Sequence, residues 1–165
     1  MELIIRRVQR GDEHVLAYIQ TESWKAAFAG ILDPQTLARC TDTVRAEAMY
    51  RRLLEDDVGS GYLLTLDGAP HAIAWWDAAR GEDMPGYAEI ICIHSLPANW
   101  HRGCGRRLMN KLLTDIAAAG YKKVMLWVFT GNERARVFYE AVGFHATKKV
   151  KDALGTTEIC YVKSL

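Results

Sequence analysis

A mixed α/β fold of the α+β kind, with a central sheet of about seven strands and about four helices, is what this sequence predicts. Three observations carry the prediction. Helical patterning dominates residues 11–57, strand patterning dominates from residue 60 onward, and a strand–helix–strand–helix succession over 86–142 requires at least one parallel crossover. The 165 residues suffice for one domain, 1–165, with a proper core, in the order β-α-α-β-β-β-α-β-α-β-β.

"ELIIRRV" at 2–8 reads as the first strand. Gly11 and Asp12 turn the chain into a helix on which Val15, Tyr18, Ile19 and Glu22 fall at helical spacing, with Trp24 and Phe28 continuing one face. Gly30 closes it, and Asp33-Pro34 opens a short second helix by the cap-then-proline rule. A further helical stretch runs from Thr43 to Glu55, with Val44, Ala48 or Met49, Leu53 and Leu54 as its apolar stripe. "GYLLTL" and "PHAIAWWDA" flank Asp67-Gly68, a hairpin signal. "GYAEIICIHSL" is a β-type run over 86–96 that Pro97 stops. Leu108, Leu112 and Ile116 mark one helix face, and Gly120 ends that helix. "KKVMLWVF" is an apolar run of strand length, suited to a sheet buried on both faces. Asn132 caps a helix that groups Ala135, Phe138, Tyr139 and Val142, and two strands around Gly155 close the chain.

Composition excludes several classes of function. Lys and Arg total 21 against 20 acidic residues, so a net charge of +1 argues against a generic nucleic-acid or polybasic membrane surface. Cys40, Cys92, Cys104 and Cys160 form no closely spaced pair, so no metal site is expected and the thiols read as reduced, in a cytoplasmic protein. No run of 18 apolar residues is present, so no membrane span is expected.

"NWHRGCGRRLM" at 99–109 holds the chemistry. Glycine costs a helix about 1 kcal/mol relative to alanine, so Gly103 and Gly105 at a helix start need a reason. Free amides at a helix start bind anions, and glycine lets a phosphate approach without meeting a Cβ. With His101, Arg102, Cys104, Arg106 and Arg107 beside them, the glycines read as a diphosphate cradle; a tight turn with solvated arginines is the competing reading. No Gly-Lys-Ser/Thr follows, and Leu108 stands where a dinucleotide fingerprint needs glycine.

"PANWHRGCGRRLM", followed at a helix–strand distance by "NERARVFYEAVGF" and preceded by "AEIICIHSLP", resembles the GCN5-related N-acetyltransferase (GNAT) family. Its motif Arg/Gln-x-x-Gly-x-Gly/Ala falls on 100–105, with Trp100 departing from the family at the first position. Cys104 stands where the family commonly has an aliphatic residue; it reads as a small apolar filler or as a reactive thiol at a helix start. The resemblance implies acetyl-CoA as cosubstrate, no metal, and a cleft where strand 89–96 splays from strand 123–129. It implies backbone contacts to the pantetheine arm at Ile93, His94 and Ser95. Asn132, Arg136 and Tyr139 would join the glycine turn in holding the cosubstrate, and Tyr139 would protonate the departing thiolate. Glu89 or His94 would serve as base; a strand-edge charge and a packed histidine are the plain alternatives. The aromatic group Trp24, Phe28, Trp75 and Trp76 supplies candidates for an acceptor pocket, with Trp24, Phe28 and Trp76 as its expected lining and only one or two touching substrate.

The activity implied is transfer of acetyl from acetyl-CoA to a primary amine of a small molecule or peptide, by direct attack in a ternary complex. The alternative is a catalytically silent CoA-binding sensor or partner subunit. Pairing into a homodimer through the last strands is common in such folds. The acceptor's identity is not implied by the fold.

Overall fold

Asp67 and Gly68 take φ of 49° and 81°, the two left-handed positions that a two-residue hairpin turn requires. In the computed structural model, which describes all 165 residues apart from the Asn99 side chain, this turn joins β2 (Ser60–Leu66) to β3 (Ala69–Ala78). Leu154 and Gly155, at φ 52° and 81°, make the equivalent turn between β6 (His145–Ala153) and β7 (Thr156–Ser164). With β1 (Leu3–Arg7), β4 (Ala88–Ser95) and β5 (Lys123–Phe129) they form one seven-stranded sheet in the order β1-β2-β3-β4-β5-β7-β6.

Every neighbouring pair is antiparallel except β4 and β5. Those two strands pair only at Ala88↔Val124, Glu89↔Met125 and Ile90↔Leu126, then separate. The cause is visible on both sides. A bulge in the β3–β4 ladder at Trp75/Trp76 leaves Ile91 without an opposite residue and bends β4, which stays on β3 as far as Ser95. β5 stays on β7 through Phe129↔Glu158.

Five α-helices cover the sheet: α1 (Glu13–Ala27), α2 (Pro34–Cys40), α3 (Thr43–Glu55), α4 (Cys104–Ala118) and α5 (Glu133–Ala141). The condensed element order shows two helices ahead of the first hairpin where the residue-by-residue reading has three; the structure has three, and Asp33 caps α2 as expected, with hydrogen bonds from the Gln35 and Thr36 amides. On one face, Leu108, Leu112 and Ile116 of α4 pack with Leu64, Trp76, Val124 and Leu126. On the other, Leu16 and Ile19 of α1 and Tyr50 of α3 pack with Leu63, Ile73 and Trp75. Full burial of each such side chain contributes about 1.5–3 kcal/mol. Among the described residues no helix is long and apolar enough to cross a membrane.

Candidate active site

The divergence of β4 from β5 leaves a cleft of about 1090 Å³ that continues between α4 and α5 at one end and between α1, α3 and the sheet at the other. Backbone amides and carbonyls that lose a ladder partner need another one, so the cleft walls suit a ligand with an extended amide chain.

The glycine turn forms the first wall. Gly103 sits at φ 79° as the N-cap ahead of α4, and its position supplies no side-chain cap to that helix. The first intrahelical bond is Arg107 N–H to the Gly103 carbonyl at 3.1 Å, so the amides of Cys104, Gly105 and Arg106 are open. The two glycines have different causes. Gly103 is required by its left-handed backbone, whereas a Cβ on Gly105 would meet only the Phe138 ring, at an ordinary 3.5 Å. The fold therefore tolerates a side chain at 105. His101, at φ 65°, and Arg106 line the same wall. Cys104 is buried in the main core, where it acts as an apolar filler.

Arg102, Arg107 and Arg136 depart from the cradle reading, since none of them lines the cleft. Arg102 bears electrostatically on His71 of β3 instead. Arg107 is exposed. Arg136 turns toward the sheet, donating to the Tyr161 hydroxyl and the Thr130 carbonyl, both at 2.9 Å, and so ties α5 to β7.

Asn132 accepts from the Ala135 amide at 3.2 Å and starts α5. Asn132→Ala should lower stability by about 1 kcal/mol in urea titrations, whether or not a cosubstrate is present. Tyr139 follows two turns later with its ring packed between Phe138, Phe144 and Tyr161. Burial pushes its hydroxyl well above the usual phenol range, and the Arg134 cation only partly opposes this. The hydroxyl keeps its proton at any physiological pH.

His94 lies in the cleft beside Trp24, whose indole N–H donates to His94 Nε2 at 3.2 Å. An indole only donates, so Nε2 carries the lone pair and the imidazole is neutral. Burial holds its pKa at about 4. The lone pair that a base would use is thus engaged by Trp24. Glu89 is 3% exposed and lies outside the cleft lining. Its two oxygens accept from Arg80 Nε at 3.1 Å and Nη2 at 2.7 Å, and from the Arg80 amide at 3.0 Å. This carboxylate closes the 79–87 loop onto β4 and is not a free base.

Trp24 and Phe28 do wall the far end of the cleft, in an edge-to-face chain that reaches Phe129 at the tip of β5. Trp76 does not. Alternation along β3 sends Trp75 to the cleft and Trp76 to the α4 face, where it donates to the Tyr62 hydroxyl at 3.1 Å and packs on Tyr121.

Residues that sequence patterns did not single out complete this end: Gln20, Tyr50, Asp77, Arg80, Trp127 and Glu158. Tyr50 donates to Gln20, and its hydroxyl is pushed well above the phenol range by burial. These residues are scattered over five elements and the 79–87 loop, and only their three-dimensional convergence marks them. Cys92 also lines the cleft, with its thiol pushed up to about 12 by burial. A thiol in that state is not a nucleophile at neutral pH.

The comparisons with known proteins agree with this geometry. A family model described as "Acetyltransferase (GNAT) family" matches residues 24–144. A probable N-acetyltransferase of Mycobacterium tuberculosis is 26% identical over 144 residues, covering 86% of this chain and 79% of that protein. Among solved structures, the PaiA N-acetyltransferase of Thermoplasma acidophilum in complex with coenzyme A superposes with a TM-score of 0.82 at 19% identity, over the whole of both chains. The YncA protein of Salmonella typhimurium, whose structure holds its cofactor acetyl-CoA, gives 0.71 at 18%, over 98% of this chain and 93% of that one. With a splayed β4–β5 cleft, an uncapped α4 behind the glycine turn and a family match across most of its length, the chain belongs to the GNAT family of acetyltransferases.

Proposed function

We propose that the protein transfers an acetyl group from acetyl-CoA to a primary amine by direct attack in a ternary complex. The observation that carries the reading is the continuity of the cleft, which runs from the open α4 amides past Tyr139 to an aromatic chamber under α1. The diphosphate rests on the amides of Cys104, Gly105 and Arg106, and the pantetheine arm lies along Ile93, His94 and Ser95. The α4 dipole and Arg106 add favourable charge.

The acceptor enters from the other end. Trp24, Phe28, Met49, Leu53, Trp75 and Trp127 give it an apolar body to rest against. Asp77 draws an ammonium group to the chamber, where Glu158 lies 3.7 Å from Lys151 Nζ and Arg80 is matched by Glu89. The amine attacks as its neutral form, because the ammonium has no lone pair. Nitrogen bonds to the thioester carbon, and the carbonyl oxygen becomes an oxyanion facing β4 amides. Collapse breaks the C–S bond; sulfur takes the Tyr139 proton, and the nitrogen gives up its proton through water on the chamber's open side. The protonated state of Cys92 argues against a cysteinyl acyl-enzyme and for direct transfer.

The test is release of free CoA thiol when acetyl-CoA is mixed with a panel of primary amines. Turnover with arylalkyl or alkyl amines ahead of acidic ones is expected. Tight acetyl-CoA binding without turnover on any amine would favour a silent CoA-binding subunit instead.

A further inference from the structure

Trp100 stands at the first motif position, where the family expects Arg or Gln, and the structure shows what it does there. Its indole N–H donates to the Ser95 carbonyl at 3.1 Å, tying the glycine turn back to the end of β4. From the first turn of α5, Arg134 lays its guanidinium over the indole with Cζ 3.5 Å from the ring centroid. The two side chains thus connect the loop ahead of α4 with the start of α5, and both line the cleft.

A guanidinium stacked on a ring through its face keeps its N–H groups free, because all of them radiate in its own plane. Among the described residues no carboxylate pairs with Arg134, in contrast to Arg6, Arg51 and Arg80. Water lost on the stacked side pulls its pKa below the ordinary arginine value, a cost that an anionic partner would reverse. The open amides of α4 and Arg106 line the same cleft. A planar fork of donors, fixed in orientation and lacking an acceptor, matches two oxygens of a phosphate.

We infer that Arg134 binds a phosphate group of the cosubstrate and that Trp100 is the positioning residue that holds its guanidinium flat for that contact. The inference rests on the acetyl-CoA reading of the cleft. It also accounts for the departure at position 100: the missing motif side chain is replaced by a cation from α5, oriented by the indole. CoA carries phosphate in its diphosphate and on its ribose, and the same chemistry serves either.

Calorimetric titration of the full chain with CoA, 3′-dephospho-CoA and S-acetylpantetheine, which carries no phosphate, tests this. Arg134→Ala should weaken CoA roughly tenfold and leave S-acetylpantetheine unchanged, and Arg134→Lys should restore only part of the loss, since a point charge replaces a fork. Trp100→Leu should weaken CoA less, and its effect should vanish in the Arg134→Ala background, as expected of a residue acting through another. A loss on Arg134→Ala that persists with 3′-dephospho-CoA assigns the contact to the diphosphate; one that disappears assigns it to the ribose phosphate. Either result supports the inference. CoA binding by Arg134→Ala within twofold of the parent chain overturns it, as do additive effects of the two substitutions or equal losses for S-acetylpantetheine. If the parent chain binds no CoA, the acetyl-CoA reading itself fails and takes the inference with it.

Discussion

Tyr139→Phe is expected to lower kcat by roughly 10²–10³-fold, the range that loss of a positioned general acid produces. The substitution removes one oxygen and keeps the ring, which packs at centroid distances of 5.5, 6.0 and 6.3 Å from Phe138, Phe144 and Tyr161. The fold and the cleft wall should therefore survive. The tyrosine hydroxyl is held well above its usual range by burial, so it is fully protonated across the working pH range. A thiolate leaving into the same dry cleft is also destabilised as an anion, as the raised Cys92 thiol in that cleft illustrates, and this offsets the weaker acidity of the buried phenol. Steady-state kinetics with acetyl-CoA and the best acceptor check this, with KM for acetyl-CoA moving far less than kcat. Retention of more than about a fifth of the parent kcat would leave Tyr139 with a packing role only.

Stability should fall as pH drops from 6.5 to about 4, by roughly 3 kcal/mol from His94 alone. The sign follows from the direction of the shift. The imidazole titrates near 6.5 in the unfolded chain and near 4 in the folded one, so between those values the unfolded state binds the extra proton. The loss starts at the unfolded value and is complete at the folded one. Carboxylates act in a separate window. The Arg6 hydrogen bonds hold Asp12 below its ordinary value against its burial, so its contribution is present above about 3.8 and is lost as pH falls further. Urea unfolding at intervals between pH 4 and 7 separates the two. His94→Gln, which keeps an acceptor for the Trp24 indole, should flatten the upper window; an unchanged slope would assign that window to another group.

Local signals made much of the fold legible and fail at definable places. Both hairpin turns announce themselves by Asp67-Gly68 and Gly155, because few residues tolerate the left-handed backbone there. The α4 stripe is equally plain, since Leu108, Leu112 and Ile116 are all fully buried. The stripes on α1 and α3 hold in part: Ile19 and Phe28 are buried, and Val15, Met49, Leu53 and Leu54 pack against the core. Tyr18 and Val44 are exposed, while Thr21, Ser23 and Ala46 are buried. Small polar residues can occupy a buried helix face when the helix itself satisfies them, as Thr21 does by donating to the Ala17 carbonyl at 2.9 Å. A hydrophobicity pattern cannot register that bond. In the candidate site, the glycine turn was readable because its backbone chemistry is local. The choice between Trp75 and Trp76 needed the sheet register, and the engagement of Glu89 needed a loop that brings Arg80 back across nine residues.

The short seam between β4 and β5 has a thermodynamic meaning. Among the described residues, three residue pairs are the only ladder joining the block β1–β4 to the block β5–β7–β6. On the acetyl-CoA reading, the pantetheine amides continue that ladder where the protein leaves it off, so the cosubstrate is structurally part of the sheet. A ligand that binds only the folded chain adds about 2.7 kcal/mol at a hundred times its Kd. Resistance to unfolding and to proteolysis would then rise and fall with the supply of the acyl donor, and the lifetime of the chain would report on that supply.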